Sequence, residues 1–314
     1  MMRRMAKKKP LQRRGSRRRL TASAGRTESR SELETPRSPR VRVSPRIWWG
    51  LLALAALLAV AAVVCTRGGP DGGPRGASSR TPERLAIRVL HTYPHDPRAF
   101  TQGLLWHEGH LFESTGQYGA SSVRRVALET GEVLQRRAND PMTFGEGLAL
   151  VRDRLFQLSW MEHEAYVWNL RDFAPVRTFE YTTEGWGLCY DGTHLVMTDG
   201  SDRLFFRDPD TFAVVRTVHV RDRGRSVDQL NELECVDGVL WANVWQTDRI
   251  LRIDPSDGRV TATVDARGLL TDEERQNADV LNGIAWIPER RHFVITGKLW
   301  PHLFEVEFVP VETP

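Results

Sequence analysis

A chain of 314 residues is long enough for one large domain or two small ones, and a hydrophobic content of 40% is that of a globular protein. Its formal charge of +4 sums two unlike parts: residues 1–46 carry 16 Lys/Arg against 3 Glu, and the rest carries 28 basic against 37 acidic residues. The excess of base belongs to a tail, so the high isoelectric point is no sign that the folded part binds nucleic acid; nucleic-acid or acidic-lipid binding by the tail itself is the alternative to a solvated segment.

In chain order, residues 1–46 read as a disordered basic tail on the cytoplasmic side. Residues 47–65, "IWWGLLALAALLAVAAVVC", contain no charge. As a helix rising about 1.5 Å per residue this segment reaches roughly 28 Å, close to the hydrocarbon thickness of a bilayer. Trp48 and Trp49 stand at its entrance, where amphipathic rings favour the interface. One transmembrane signal-anchor helix is therefore expected, with the remainder of the chain held outside the cytoplasm, periplasmic or extracellular. Cleavage near Ala59-Val60-Ala61, which would secrete the protein, and lipidation of Cys65 are the alternatives. Residues 66–84, rich in Gly, Pro and Ser, read as a flexible linker.

From residue 85 short apolar runs alternate with turn signals, which predicts an all-β domain over 85–311. The runs repeat. "GLLWHEGHLFEST" starts at Gly103, "GLALVRDRLFQLSW" at Gly147, "GLCYDGTHLVMTDG" at Gly187, "ELECVDGVLWANVW" at Glu232 and "GIAWIPERRHFVITGKLW" at Gly283. Each is strand, tight turn, strand, and a second hairpin follows each of the first four. Five four-stranded antiparallel meanders predict a five-bladed β-propeller. The last unit lacks its outer strand, so 85–93 is expected to pair with 303–308 and join the chain ends in one blade. A short helical insertion begins at the Thr271/Glu274 capping box.

Residues just before each first strand should crowd around the centre: Gln102, Glu146, Trp186, Asn231 and Asn282. The loop after the second strand returns to the same end, bringing Trp160, Asp199, Trp245 and Lys298 with Trp300. Aromatic walls, a carboxylate, an ammonium and carboxamides suit a small polar ligand. Glu146 lies between two glycines, where nothing packs on it. No GxSxG, P-loop, GxGxxG or HExxH occurs, and no Cys/His spacing suggests zinc. Cys189 and Cys235 lie one position out of phase in neighbouring units, so they are expected to leave opposite faces of their strands and not to form a disulfide.

The segments "YPHDPRAFTQGL", "FGEGLAL", "LSW", "EGWGL", "LNELE", "ANVWQTDRI", "LNGIAW" and "TGKLWP" together resemble the plant- and bacterial-type glutaminyl-peptide cyclotransferases, from about Tyr93 to Phe308. That resemblance implies a five-bladed propeller that converts N-terminal glutamine of peptides or proteins to pyroglutamate with release of ammonia. It implies Glu146 as acid/base and Lys298 and Asn231 as catalytic partners. Gln102, Trp160, Trp186 and Trp245 become substrate-binding residues, with no metal and no cofactor. A monomer, held to the membrane by one N-terminal helix and not binding nucleic acid, is expected. The competing readings are a non-catalytic peptide- or sugar-binding propeller of the cell envelope and an envelope scaffold.

Overall fold

The computed structural model describes residues 81–311. The expected tail at 1–46, the span at 47–65 and most of the linker at 66–84 lie outside these residues. Among the described residues no helix is long and apolar enough to cross a membrane.

The chain enters on a long strand, β1 (Glu83–Pro94), which starts two residues inside the expected linker. Three meanders come after it as separate four-stranded sheets. The first holds β2 (Thr101–His107), β3 (His110–Thr115), β4 (Ser122–Val126) and β5 (Val133–Ala138). The second holds β6 (Gly145–Val151), β7 (Arg154–Ser159), β8 (Glu164–Asn169) and β9 (Pro175–Glu180). The third holds β10 (Leu188–Tyr190), β11 (Leu195–Met197), β12 (Arg203–Arg207) and β13 (Val214–His219). A two-stranded ribbon, β14 (Arg221–Asp222) with β15 (Arg225–Ser226), comes next. Then come β16 (Leu230–Val236), β17 (Val239–Val244), β18 (Arg249–Ile253) and β19 (Val260–Asp265). The four-residue helix α1 (Asp272–Arg275) is capped by Thr271, whose hydroxyl accepts from Glu274 N while Thr271 N donates to the Glu274 carboxylate. The chain ends with β20 (Leu281–Ile287), β21 (His292–Gly297) and β22 (His302–Pro310).

These last strands correct the expected five-bladed propeller of four-stranded blades. The last two meanders are not separate: they are one eight-stranded sheet in the order β16-β17-β18-β19-β1-β22-β21-β20. The cause is the length of β1. It pairs antiparallel with β22 from Leu85 opposite Pro310 to Pro94 opposite His302, as the apolar pattern of 85–93 suggests. Its first residues extend further and pair in parallel with β19, Glu83 opposite Ala262 and Ala86 opposite Asp265. A strand bonded on both edges fuses its neighbours into one sheet. The two ends of that sheet, β16 with β17 and β20, are stitched by side chains. Ile284 N donates to Glu232 Oε2 at 2.8 Å, Trp286 N to Glu234 Oε1 at 2.8 Å and Gly283 N to Asn243 Oδ1 at 3.0 Å. The sheet nearly closes on itself.

Apolar clusters fill the spaces between neighbouring sheets. Leu105 and Phe112 of the first sheet pack with Leu148 and Leu155 of the second. Phe156 and Leu158 of the second pack with Leu195 and Met197 of the third. Val196 and Phe206 of the third pack with Leu233 and Ala242 of the large sheet. Leu104 and Leu111 meet Ala285 and Val294 of its other end.

This face-to-face stacking also overturns the expectation for the cysteines. Cys189 in β10 and Cys235 in β16 are disulfide-bonded, with Cα atoms 5.6 Å apart. Two stacked sheets meet through opposite faces, so residues out of phase by one position point into the same interface. The cross-link spans 46 residues of sequence, a span for which about 2–4 kcal/mol is typical. The double variant Cys189→Ser/Cys235→Ser is expected to melt roughly 5–10 °C lower by circular dichroism for a domain of this size. An unchanged midpoint would mean that the cross-link adds nothing to folding.

Candidate active site

The site is built by one local device used repeatedly. At the start of β2, β6, β16 and β20 the ladder slips: register shifts occur between Thr101 and Gly103, Gly145 and Leu148, Leu230 and Leu233, and Leu281 and Ile284. Gln102, Glu146, Asn231 and Asn282 occupy these bulges, which free each side chain from the strand's alternation and re-aim it. In the third sheet β10 begins only at Leu188, and Trp186 precedes it. Glycine follows four of the five positions, at Gly283 because the backbone takes a φ of +118° and at the other three because backbones approach there. A Cβ on Gly103 would run into Leu148 N, one on Gly147 would stand 2.5 Å from Leu188 N, and one on Gly187 would run into Asn231 O.

The fifth follower is Glu232. Its carboxylate is buried and accepts from Leu104 N at 3.2 Å as well as from Ile284 N, so it supplies acceptors to two neighbouring strands. Burial pushes its carboxyl well above the usual range, and the charge of Glu234 adds to the rise.

Antiparallel pairing sets the second group of residues beside the first. The residue after the second strand donates its N–H to the carbonyl two residues before the bulged one. Trp160 N bonds Phe144 O at 2.9 Å, Trp245 N bonds Gln229 O at 2.8 Å and Lys298 N bonds Val280 O at 2.9 Å. Gly116 N bonds Phe100 O in the same way in the first sheet.

All seven predicted site residues line one cavity of about 410 Å3: Gln102, Glu146, Trp160, Trp186, Asn231, Trp245 and Lys298. Phe100, Phe144, Gln246, Asp279 and Val280 complete its wall. Asp199 and Trp300, also expected there, are elsewhere. Asp199 accepts from Ser201 and Arg203. Trp300 is fully buried and donates its indole N–H to Asp279 O at 2.8 Å.

At the base of the cavity an amide chain fixes the carboxylate. Asn282 Nδ2 donates to Thr101 O and to Gln102 Oε1, at 3.0 and 3.2 Å, which turns the Gln102 amino group toward Glu146. Gln102 Nε2 then donates to Glu146 Oε1 at 2.8 Å. Glu146 is 4% exposed, as is Lys298. Burial pushes the Glu146 carboxyl well above the usual carboxylate range; the Lys298 charge pulls it back, and the carboxylates of Glu184 and Glu162 add to the rise. Burial lowers the pKa of Lys298, against the opposing charges of Glu146 and Asp279. The Lys298 ammonium lies over Phe100, 5.0 Å from the ring centroid. Asn231 Oδ1 is buried with no hydrogen-bond partner among the described residues, so it is free for a ligand.

The aromatic wall is made of two groups of rings. Phe144 meets Trp160 edge-on at 5.5 Å and Phe100 at 6.0 Å, and Trp186 meets Trp245 edge-on at 5.5 Å. Gly200 lets the Trp186 ring lie on the backbone; a Cβ there would stand 2.7 Å from Cζ2 of the indole.

A family model described as glutamine cyclotransferase matches residues 56–308. This chain belongs to the glutamine cyclotransferase family. A glutaminyl-peptide cyclotransferase of Arabidopsis thaliana is 44% identical over 243 residues, covering 75% of this chain and 76% of the relative. The crystal structure of Myxococcus xanthus glutaminyl cyclase superimposes with a TM-score of 0.67 at 42% identity, covering 74% of this chain and all of that one.

Sequence reasoning missed Phe100, Phe144, Glu184 and the His95 network. The phenylalanines had a signal: each stands two residues before a bulged residue, in "AFTQ" and "TFGE". His95 had none. Its Nδ1 lies 2.8 Å from Trp300 O and its Nε2 lies 3.1 Å from Glu113 Oε1, which also accepts from Thr101 Oγ1 at 2.7 Å. This buried pair ties the segment before Gln102 to the segment after Lys298. Among the described residues no three His, Cys, Asp or Glu are grouped to hold a metal ion.

Proposed function

We propose that this chain is a glutaminyl-peptide cyclotransferase, closing the N-terminal glutamine of peptides or proteins to pyroglutamate with release of ammonia. The observation that carries the reading is the meeting of a buried, strongly perturbed Glu146 with Lys298, Asn231 and Gln102 in one aromatic-walled cavity. Family membership supports the reaction, and the geometry of the cavity supports a role for each residue.

The α-amine of the substrate attacks its own side-chain Cδ. A new N–Cδ bond forms, the carbonyl oxygen takes negative charge, and collapse breaks the Cδ–NH2 bond. A flexible glutamine must first be folded into a near-attack shape, and the indole faces of Trp160, Trp186 and Trp245 restrict it to one. The attacking amine must lose a proton and the departing amide nitrogen must gain one. Glu146 takes the first and returns the second. A carboxyl raised by burial toward the working pH does both better than an ordinary one, because neither transfer is then steeply uphill. Gln102, itself held by Asn282, keeps the Glu146 carboxylate in place.

The developing oxyanion is met by the Lys298 ammonium and the Asn231 amide N–H in a site largely shielded from water. Asn231 Oδ1 can accept an N–H of the bound substrate.

Incubating the purified full chain with a Gln-initiated peptide should give a product lighter by one ammonia. The same peptide begun with Asn, which would close a strained four-membered ring, should stay unchanged. No mass loss from the Gln peptide refutes the activity. The Cys189–Cys235 disulfide supports placing the enzyme in an oxidising compartment outside the cytoplasm. Alkylation of the denatured protein, isolated without reductant, should find both thiols blocked.

A further inference from the structure

Glu184 makes a contact that the cyclisation chemistry does not use. It lies in the loop between β9 and β10, and one oxygen, Oε2, accepts from two indoles at once. Trp160 Nε1 donates at 2.7 Å and Trp186 Nε1 at 2.9 Å. Both rings line the cavity, and they come from different sheets: Trp160 follows β7 and Trp186 precedes β10. The loop is anchored on Trp160 as well, since Gly185 N donates to Trp160 O at 3.1 Å. Trp186 in turn sets Trp245 by its edge-on contact. One carboxylate thus fixes the relative angle of the aromatic walls.

We infer that Glu184 is a positioning residue for cyclisation: it holds the Trp160 and Trp186 indoles in the orientation that folds the substrate glutamine for attack. The inference rests on the proposed cyclotransferase activity. Indoles turn about two side-chain bonds, and packing leaves these two only half-buried. Without an acceptor the rings gain rotamers, and the substrate then loses the wall that restricts it. Charge-assisted N–H to carboxylate bonds are the stronger kind and direct the N–H edge of each ring.

Glu184 has a second, separable effect. The charged groups facing Glu146 are Lys298, Glu184 and Glu162. The negative charge of Glu184 helps keep the Glu146 carboxyl raised, so a neutral replacement lowers it. Glu184→Gln keeps an oxygen acceptor for the indoles and removes the charge; Glu184→Ala removes both.

Steady-state kinetics on the Gln peptide, a pH profile and near-ultraviolet circular dichroism separate the two. Glu184→Ala is expected to lose about 10- to 100-fold in kcat/KM, mostly through kcat, and to lose aromatic dichroism. Glu184→Gln should recover most of the kcat/KM and the dichroism, while its acid limb moves to lower pH. Wild-type kcat/KM in Glu184→Ala overturns the inference, as does a loss that Glu184→Gln fails to recover. Inactivity of the wild-type chain would instead strike at the proposed activity. The dichroism then judges Glu184 alone, an unchanged aromatic signal in Glu184→Ala refuting its hold on the indoles.

Discussion

Glu146→Gln is expected to reduce kcat by about 10²–10⁴-fold, the usual contribution of a positioned acid/base, with little change in melting temperature. The substitution keeps the shape of the side chain and leaves an oxygen to accept from Gln102 Nε2, the one hydrogen bond of the Glu146 side chain among the described residues. It removes the proton shuttle and, with it, the charge that faces Lys298. An amide neither takes the proton from the attacking amine nor returns one to the departing nitrogen, so the tetrahedral species collapses back to substrate. Substrate binding through the indole walls survives, and KM should move little. The measurement is ammonia release from a Gln-initiated peptide, beside a thermal melt of the same sample. Near-normal turnover in a folded variant removes Glu146 from the chemistry.

Lys298→Met should cost about 10²–10³-fold in kcat, the range for losing an oxyanion partner in a dry site. It should also displace the pH profile, in a direction set by charge. Burial raises the Glu146 carboxyl and the Lys298 cation lowers it. Without that cation the carboxylate is less stable and its pKa rises further. Glu146 must be ionised to accept a proton, so the acid limb of kcat moves to higher pH. At the basic end the wild-type enzyme should lose rate as Lys298 deprotonates, at a pH below that of an ordinary lysine because burial lowers it. That limb is expected to vanish in the variant. A limb that stays put, or moves to lower pH, would show that the two groups do not share a field. The double variant with Glu146→Gln should be much less than multiplicative, because both residues serve one transition state.

Much of this site is legible in the amino-acid sequence. Gln102, Glu146 and Asn231 stand out because a polar side chain directly before an apolar strand makes no sense for a ladder residue, and the oddity recurs from unit to unit. Trp160, Trp245 and Lys298 recur just after the second strand of their units. Phe100 and Phe144 were within reach by the same alignment. Glu184 and His95 were not, because each acts once, through partners that no repeat places.

The sequence by itself determined the all-β class, the strand–turn–strand units, the pairing of 85–93 with the last strand, and the polar residues that gather in one cavity. These come from period-two patterning, turn residues and repetition, all of which are local. Only the tertiary structure decided that β1 bonds on both edges and fuses the last two meanders into an eight-stranded sheet. It alone decided that Cys189 and Cys235 meet across stacked faces, and that Glu232 stands in a glycine's position to serve two neighbouring strands. Such features depend on which edges and faces of distant strands come together, and that is set by packing between sheets.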